Sequence, residues 1–424
     1  MQNSLPFPIS YATLLTYEKH PLRKRMLLIR ESVLYRTDLS RWQTGEDFFV
    51  HFRPNFTEIK KGNSFFVWNI GFRTLFPRGG EGKETGTDMD NIRVMLERRE
   101  HEMLSPFAMF SDCSKGRLRE EPQCDIRPVF QRDRDRIIHT KAFRRLKDKT
   151  QVFLTPNGDH YRTRMTHTLE VSQIARSITK ALRLNDDLAE AIALGHDLGH
   201  TPFGHAGERA LARVCEGGFR HNEQSVRVVN LLEKDGKGLN LTYEVIDGIL
   251  NHQTSGNPST LEGQIVRISD KIAYYNHDID DAIRGQIIRE EDIPDELTDY
   301  LGHSLKDRLN TMIHDVISES FDRPEIKVSA EMERAMKDLR QYMFEHVYTN
   351  PVAKGEEYKA EAMVEYLFHY YYANPDILTG EYRELMERGE SLERVVADYV
   401  AGMTDKFAVT KYMDLTVPKA WGVY

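Results

Sequence analysis

The sequence has few cysteines, no excess of basic residues and no long apolar run. Its three cysteines, Cys113, Cys124 and Cys215, have no paired spacing, which argues against a disulfide framework and fits a reducing cytoplasm. The 58 basic residues are outnumbered by 66 acidic ones, so general binding to nucleic acid is not the default expectation. No apolar run reaches the length of a membrane span, and no basic start is followed by an apolar stretch. These absences predict a cytoplasmic protein that does not engage a membrane.

Residues 1–88 differ from the rest of the chain. They carry 13 Lys or Arg against 9 Asp or Glu, a net charge of +4, whereas the remainder carries 45 against 57, a net charge of −12. They show no sustained helical period, and the only strand-like run is at 65–70. Residues 78–84 are Arg, Gly, Glu and Lys, several of them with purine-rich codons like those of a bacterial ribosome-binding site, and Met89 follows.

Two interpretations of this segment stay open. In the first, translation starts at Met89 or Met95, and residues 1–88 are upstream sequence read in frame. In the second, residues 1–88 are a real N-terminal arm. Mass spectrometry of the native protein distinguishes them, because a peptide from within residues 1–88 would contradict the first interpretation.

Residues 196–208 crowd polar groups at a predicted bend. His196, Asp197 and His200 fall in the predicted last turns of a helix, and Pro202 ends that helix because proline lacks an N–H and clashes with the preceding turn. A neighbouring His and Asp suit a divalent cation, since imidazole nitrogen binds transition metals and the carboxylate offsets the charge. Two ligands are too few, so a helix end with surface histidines is the alternative unless matching ligands occur on other helices.

The corner itself is predicted at Phe203 and Gly204, and a second helix begins near His205. His205 and Glu208 are three residues apart, so they share a face of this second helix. The segment therefore predicts a helix–turn–helix elbow with its polar groups at the bend.

Two other predicted helices carry polar residues beside apolar stripes. His167 lies on the apolar stripe of its helix and should point inward, where a lone His is more often a satisfied core residue than a ligand. In the helix predicted at 261–283, Asp270 lies among apolar neighbours, where an unpaired carboxylate is costly, so it should be paired or bound to metal. A helix-surface Asp is the alternative. Tyr274 and Asp278 follow at four-residue steps and stack along one face.

Basic residues concentrate between 131 and 150, in a segment that also has an apolar side. A solvated helix face is the simplest interpretation of such a run. A basic helix beside a metal site would also suit a polyphosphate. Arg162 and Arg164, shortly before His167, add guanidinium groups that can bind phosphate oxygens in a bidentate manner.

Taken in order, these residues resemble the H…HD…D signature of the HD phosphohydrolase superfamily, formed here by His167, His196-Asp197 and Asp270. Within that superfamily the chain resembles the deoxynucleoside triphosphate triphosphohydrolases, the dGTPase-like family. The resemblance runs from about residue 90 to the C-terminus. Further matches are Arg164 three residues before His167, the elbow 196–208, residues 219–225, the steps to Tyr274 and Asp278, and residues 398–405.

The resemblance implies an all-α fold, an HD-domain helical core with additional C-terminal helices. It predicts residues 89–290 as the HD phosphohydrolase core. Residues 291–424 would be a helical C-terminal region that completes the pocket and makes subunit contacts, with 1–88 as an uncertain extension. The implied reaction is metal-dependent hydrolysis of deoxynucleoside triphosphates, dGTP or several dNTPs, to deoxynucleoside and inorganic triphosphate.

The resemblance also implies roles for individual residues. One divalent ion (Mn, Mg, Fe or Zn) would be bound by nitrogen and oxygen ligands, a mixture that favours a transition metal. The implied metal ligands are His167, His196, Asp197 and Asp270. The candidates for proton transfer and for orienting the triphosphate are His200, His205, Glu208 and His221, with His221 and His205 as first choices for the general acid. The candidates for substrate binding are Gln151, Arg164, Lys271, Tyr274 and Asp278, with the basic 132–149 segment as a further source of positive charge.

Two rival functions remain. One is another HD enzyme, such as a phosphodiesterase or an alarmone hydrolase, and the matches at residues 205–208 and 398–405 argue against it. The other is a catalytically silent nucleotide sensor, which the complete set of candidate ligands and acid–base groups disfavours. The resemblance favours a homo-oligomer, and it leaves open a nucleotide activator and single-stranded nucleic acid as a regulator.

Overall fold

The computed structural model describes residues 15–20, 23–30, 33–38, 91–154 and 161–419, with side chains described for 91–154, 161–351 and 354–419. The strand-like run predicted at 65–70 lies outside the described residues. The chain divides into two units, residues 1–83 and 84–424, and each is described by itself.

The first unit contains a three-stranded antiparallel sheet in the order β1-β2-β3. Its strands are β1 (Leu15–His20), β2 (Arg23–Arg30) and β3 (Val33–Asp38). The register places Leu15 opposite Leu28 and Arg25 opposite Asp38. These strands are not predicted from the sequence, because segments such as Arg23–Arg30 do not alternate apolar and polar residues.

The second unit is helical, which confirms the all-α prediction. From residue 91 onward, the described residues pair as strands only in two isolated bridges, Arg117 with Thr242 and Thr150 with Thr163. None of the helices in the described part of the chain is both long and apolar enough to cross a membrane. The helices are α1 (Ile92–Met103), α2 (Val129–Ile138), α3 (Lys141–Arg145), α4 (Arg164–Leu182), α5 (Asp186–Gly195), α6 (His205–Val214), α7 (His221–Arg227), α8 (Glu233–Gly236), α9 (Tyr243–Leu250), α10 (Leu261–Arg284), α11 (Asp295–Leu301), α12 (Leu305–Ser320), α13 (Ala330–Met343), α14 (Pro351–Lys354), α15 (Glu357–Ala373), α16 (Gly380–Glu387), α17 (Leu392–Ala401) and α18 (Asp405–Thr416).

Helices α5 and α10 begin at capping side chains. At the start of α5, Asn185 Oδ1 accepts the backbone N–H of Leu188 at 3.2 Å. At the start of α10, the Thr260 hydroxyl accepts the N–H of Gly263 at 3.1 Å. Each bond satisfies a donor that the first helical turn leaves without a partner. Local sequence therefore fixes where α5 and α10 begin, and with them the positions of the polar residues further along.

The elbow spans the junction of two clusters of buried apolar side chains. Leu198 belongs to the larger cluster, to which α4, α5, α9 and α10 contribute together with α12 and α13. Phe203 belongs to a second cluster, to which α6 and helices α15 to α18 contribute. The four residues between Leu198 and Phe203 thus connect two hydrophobic cores, which fixes the backbone that carries the polar groups of the bend.

Gly199 makes a close backbone approach within this junction. A Cβ at position 199 would lie 2.1 Å from the backbone nitrogen of Ser225 and 2.4 Å from the backbone carbon of Gln224. Backbone atoms cannot rotate away, so we expect Gly199→Ala to lower the free energy of unfolding by about 3 kcal/mol or more. Gly217→Ala is the matched control, because a Cβ there would meet no atom within 4 Å. Urea unfolding measures both variants, and equal losses of stability would contradict the prediction.

Candidate metal centre and nucleotide site

The first half of the elbow is a turn, not the end of a helix as the sequence predicts. Helix α5 ends at Gly195, and residues 196–199 form the turn. The reason is packing at Gly199, whose N–H donates to Ser225 Oγ at 2.9 Å and draws the chain away from the helix axis. Pro202 therefore lies beyond the end of the helix and does not terminate it.

The second half of the elbow follows the sequence prediction. Phe203 and Gly204 form the corner with φ values of +61° and +58°, and α6 begins at His205. A Cβ on Gly204 would lie 3.2 Å from Arg164 Nη2 and 3.4 Å from the carbonyl oxygen of Thr150. Glycine at the corner thus gives the left-handed backbone and the space that these neighbours occupy.

The structure brings together the four residues predicted as metal ligands. His167 Nε2 lies 3.0 Å from Asp270 Oδ1. His196 Nε2 lies 3.6 Å from Asp197 Oδ1 and 3.9 Å from Asp270 Oδ1. Separations of this size suit ligands that share one ion at about 2.0–2.2 Å each. The side chains of His167, His196 and Asp197 are buried, whereas 26% of the Asp270 side chain is exposed, so solvent reaches the group on the Asp270 side.

His196 has one ring nitrogen without a hydrogen-bond partner among the described residues. Its Nδ1 donates to the carbonyl oxygen of Ala193 at 2.6 Å, which leaves the lone pair on Nε2. That Nε2 is buried and has no hydrogen-bond partner among the described residues. Buried polar atoms are normally paired, and a metal-bound histidine normally donates its other ring N–H in this way. The geometry therefore fits a cation at Nε2.

Both carboxylates of the group are held in their charged form. Burial raises the pKa of Asp197, but the electrostatic interactions with His196 and Arg164 outweigh it and hold the pKa well below its usual range. Arg164 Nη1 donates to Asp197 Oδ2 at 2.6 Å. Burial also raises the pKa of Asp270, but the hydrogen bond to His167 and the charge of His196 lower it to about 2. Two anionic oxygens and two imidazoles form a donor set that fits one divalent ion.

The four residues predicted for proton transfer also converge, around Glu208. Glu208 Oε1 accepts the backbone N–H of His221 at 2.8 Å and lies 2.9 Å from His221 Nδ1. Glu208 Oε2 lies 3.1 Å from His205 Nδ1. The His200 ring stacks on the His221 ring with centroids 4.4 Å apart. One carboxylate therefore orients two imidazoles, and a third packs against them.

The surroundings give two of these histidines different charges. Burial lowers the pKa of His221, but the hydrogen bond to Glu208 raises it above the ordinary value. Burial, followed by the charges of Arg164 and His221, lowers the pKa of His200 well below its ordinary value. The surroundings therefore favour the protonated form of His221 and the neutral form of His200. Neighbouring groups with opposed protonation are what acid–base chemistry requires.

His252 is absent from the residues predicted as site residues, yet it lies between the two groups. Its Nε2 is 3.2 Å from His221 Nε2, and its ring centroid is 5.0 Å from that of His196. Its Nδ1 donates to the carbonyl oxygen of Ile249 at 2.7 Å, just as His196 Nδ1 donates to the carbonyl oxygen of Ala193. Burial and the charge of His196 lower its pKa to about 4, so it is neutral. A histidine just past the end of an apolar helix was the signal in the sequence.

Tyr274 and Asp278 meet Tyr348, another residue that is not predicted. The Tyr348 hydroxyl donates to Asp278 Oδ2 at 2.6 Å, and its ring stacks on Tyr274 with centroids 5.4 Å apart. Asp278 Oδ1 and Gln151 Oε1 are buried and have no hydrogen-bond partner among the described residues. Tyr348 follows Asp278 by 70 positions in a π-helical turn, so no sequence spacing connects them.

Asp278 makes the stability of the protein depend on pH. Burial raises its pKa to about 7, whereas an unfolded Asp titrates near 3.9. The folded state then binds more protons than the unfolded state between about pH 4 and pH 7, so its contribution falls as pH rises through this window. Wild type should lose up to about 4 kcal/mol of unfolding free energy across this pH window, since one pKa unit corresponds to about 1.4 kcal/mol. Asp278→Asn should not show this loss. Urea unfolding at several pH values tests this, and parallel curves for variant and wild type would contradict it.

Most of the predicted sources of positive charge are already neutralised. Arg132 and Arg136 contact Glu121 at 3.0 and 2.5 Å, so the first half of the basic 132–149 segment forms internal ion pairs. Arg162 contacts three carboxylates, those of Glu170, Asp280 and Asp281. Lys271 differs, because it is half-buried and has no hydrogen bond or ion pair among the described residues. Burial and the charge of Arg267 lower its pKa, which an anion beside it would reverse.

The C-terminal motif 398–405 holds the elbow in place. Asp405 Oδ1 accepts the N–H of Phe203 at 2.9 Å, and Asp405 Oδ2 accepts the N–H of Thr150 at 2.8 Å. Asp405 therefore ties the corner of the elbow to the chain that leads into Gln151. At the other end of the motif, buried Asp398 accepts a hydrogen bond from Gln224 Nε2 at 2.9 Å. Both carboxylates position the site from outside it.

Comparison with known proteins places this geometry in a class. Residues 164–275 match the HD domain, and residues 326–414 match the phosphohydrolase-associated domain. The first region contains all four candidate metal ligands, and the second begins after α12 and includes Asp398 and Asp405. The helical fold and its His/Asp cluster are thus those of an HD-domain phosphohydrolase.

Individual relatives narrow the assignment. A protein of Caldanaerobacter subterraneus is 60% identical over 330 residues, which cover 78% of this chain and 97% of the relative. Proteins of Clostridium perfringens and Desulfatibacillum aliphaticivorans are 49% and 48% identical, over 77% of this chain and 98% of each relative. All three are named deoxyguanosinetriphosphate triphosphohydrolase-like protein. The chain belongs to this dGTPase-like family.

Proposed function

We propose that the chain hydrolyses deoxynucleoside triphosphates, dGTP or several dNTPs, to deoxynucleoside and inorganic triphosphate, with one divalent metal ion. The observation that carries the proposal is the convergence of His167, His196, Asp197 and Asp270, with His196 Nε2 buried and unpaired among the described residues. When bound, the ion would polarise the phosphoryl group and lower the pKa of a coordinated water. The family names of the relatives point to the same substrate class.

The groups around Glu208 would handle the protons. His221 has both ring nitrogens engaged, Nδ1 with Glu208 and Nε2 with His252. His205 contacts Glu208 only through Nδ1, and 55% of its side chain is exposed. Its Nε2 can therefore reach a substrate, and we assign His205 as the donor of a proton to the leaving 5′-oxygen. Glu208 would fix the orientation of His205 and hold His221 charged beside it.

The remaining residues would bind the substrate. Lys271 is half-buried and has no partner among the described residues, and it suits the triphosphate. Arg164 would share its guanidinium between Asp197 and a phosphate oxygen, since only Nη1 is used in the ion pair. Gln151 and Asp278 present buried acceptors suited to a sugar hydroxyl, with Tyr274 beside Asp278.

A product assay tests the proposal. Purified protein would be incubated with Mn²⁺ or Mg²⁺ and each dNTP singly, then with a mixture, and the products would be separated by ion exchange. Free deoxynucleoside with intact triphosphate is expected. Activity only with the mixture would indicate a nucleotide activator. Release of other phosphates would favour a different HD phosphohydrolase, and binding without turnover under any metal would favour the sensor.

A further inference from the structure

A cavity of about 380 Å³ lies beside the elbow, and we call it the elbow cavity. It is bounded by α3, by Leu198 and Gly199 of the elbow, and by residues 379–407 of the C-terminal region. None of the residues given a role under the proposed function lines it, whereas Lys141, Arg145 and Lys149 of the basic 132–149 segment do. The elbow cavity is therefore separate from the metal site, although both share the backbone of the bend.

The first two carboxylates that line the elbow cavity are satisfied by the protein. Glu233 accepts the backbone N–H groups of Lys141 and Ala142 at 3.2 and 2.7 Å, at the start of α3. Glu381 accepts a hydrogen bond from Lys141 Nζ at 2.7 Å. This bond also neutralises Lys141 at the rim of the cavity.

The third lining carboxylate, Asp398, is fully buried and held by α7. It accepts hydrogen bonds from Arg227 Nε at 2.8 Å and from Gln224 Nε2 at 2.9 Å. Arg394 Nε lies 3.5 Å from Asp398 Oδ1. No lining carboxylate is thus left to neutralise another cation.

Two lining cations have no carboxylate partner in the described chain. Arg145 is half-buried and makes no hydrogen bond or ion pair among the described residues. Lys149 is buried, and its Nζ donates only to the carbonyl oxygens of His200 and, at 2.9 Å, of Ala401. A half-buried guanidinium without a counter-charge is costly, so Arg145 favours an anionic ligand.

The donors of the elbow cavity converge on one wall. A Cβ placed on Gly402 would lie 3.4 Å from Arg145 Nη1 and 3.4 Å from the Tyr382 hydroxyl. Both groups can therefore contact a ligand at Gly402. Tyr382 packs edge-on against Tyr399 at 5.1 Å between centroids, which gives the same wall an aromatic surface.

We propose that the elbow cavity binds a small phosphate-bearing anion, with Arg145 as its principal ligand and the Tyr382 hydroxyl as a second donor. Guanidinium and hydroxyl donors match the oxygens of a phosphate, and the guanidinium can bind two of them at once. The volume exceeds that of inorganic phosphate, and the aromatic wall suits an organic group attached to it. Lys149 lines this site and donates a hydrogen bond to the carbonyl oxygen of His200. The ligand would therefore lie beside a side chain that holds the backbone of the elbow.

The test is isothermal titration calorimetry of the full chain in the presence of a chelator, with inorganic phosphate and deoxyadenosine 5′-monophosphate as separate probes. We expect one site per chain and a loss of affinity of about tenfold or more in Arg145→Gln, because charge-assisted hydrogen bonds are the strong ones. Arg144→Gln is the matched control, since the exposed Arg144 donates only to the carbonyl of His139 and does not line the cavity. Lys271→Gln should also leave binding unchanged, which separates the elbow cavity from the substrate site.

Tyr382→Phe removes one hydroxyl and keeps the ring, so it is the second test variant in case Arg145→Gln does not fold. We expect it to weaken binding several-fold. Tighter binding of the monophosphate would assign an organic phosphate, and equal affinities would assign the phosphate group alone. Three results would overturn the proposal: binding of neither probe, affinities in Arg145→Gln and Tyr382→Phe equal to that of wild type, or loss of binding in Lys271→Gln.

Discussion

Replacing Asp270 by Asn is expected to lower kcat/KM for a dNTP by at least about a thousandfold and to lower bound metal from one ion per chain toward none. The variant removes one of two negative charges from the group proposed to bind a divalent ion. Lewis-acid stabilisation is worth several kcal/mol, and each 1.4 kcal/mol corresponds to about tenfold in rate. The amide is isosteric and can keep the 3.0 Å contact with His167, so the fold should persist. Metal analysis after dialysis and steady-state kinetics measure the two effects.

A matched control lies on the same helix. Asp280 is an acidic residue of α10 that pairs with Arg162 at 2.7 Å and Arg284 at 3.1 Å, outside the metal group. Asp280→Asn should keep its metal and most of its activity. If Asp270→Asn retained a full equivalent of metal at the wild-type rate, the assignment of the metal centre would be wrong.

Replacing Glu208 by Gln is expected to lower kcat by about 10²–10⁴ while bound metal stays at the wild-type level. Glu208 holds the His205 ring, the His221 ring and the backbone N–H of His221. Glutamine keeps the shape of the side chain but not the negative charge that raises the pKa of His221 and orients His205. The loss should therefore appear in kcat more than in KM.

Glu365→Gln is the control for this variant. Glu365 pairs with exposed Arg213 on the surface at 2.7 Å, and exposed pairs contribute little. It should leave kcat unchanged. A Glu208→Gln enzyme with wild-type kcat, or one that has lost its metal, would contradict the separation of the metal group from the Glu208 group.

The sequence predicts a helix boundary well where a local signal sets it, and poorly where a contact with a distant residue sets it. The helix expected at 261–283 is observed as Leu261–Arg284, and α6 begins at His205 as expected. Both follow from local signals, a capping threonine in the first case and a glycine corner in the second. The predicted end of α5 is wrong by several residues, because it is determined by a contact of Gly199 with α7, which is distant in sequence.

The same contrast holds for the site. Residues in short motifs, such as His196-Asp197 or His205 and Glu208, could be found from spacing. His252 and Tyr348 could not, because each joins the site through contacts with residues at least 31 positions away. The first half of the basic 132–149 segment is not a source of free charge, because carboxylates elsewhere in the chain neutralise it. Composition gives the number of charged residues but does not show which of them form ion pairs.

The central claim is that triphosphate leaves whole, and ³¹P NMR of the reaction in ¹⁸O-labelled water tests it most directly. With dGTP and Mn²⁺, followed by removal of the metal before the spectrum is recorded, we expect inorganic triphosphate with one ¹⁸O on a terminal phosphorus, together with unlabelled deoxyguanosine. That result requires water to attack the α-phosphorus and the 5′-oxygen to leave. Labelled orthophosphate or pyrophosphate, with a deoxynucleotide as the other product, would contradict the account.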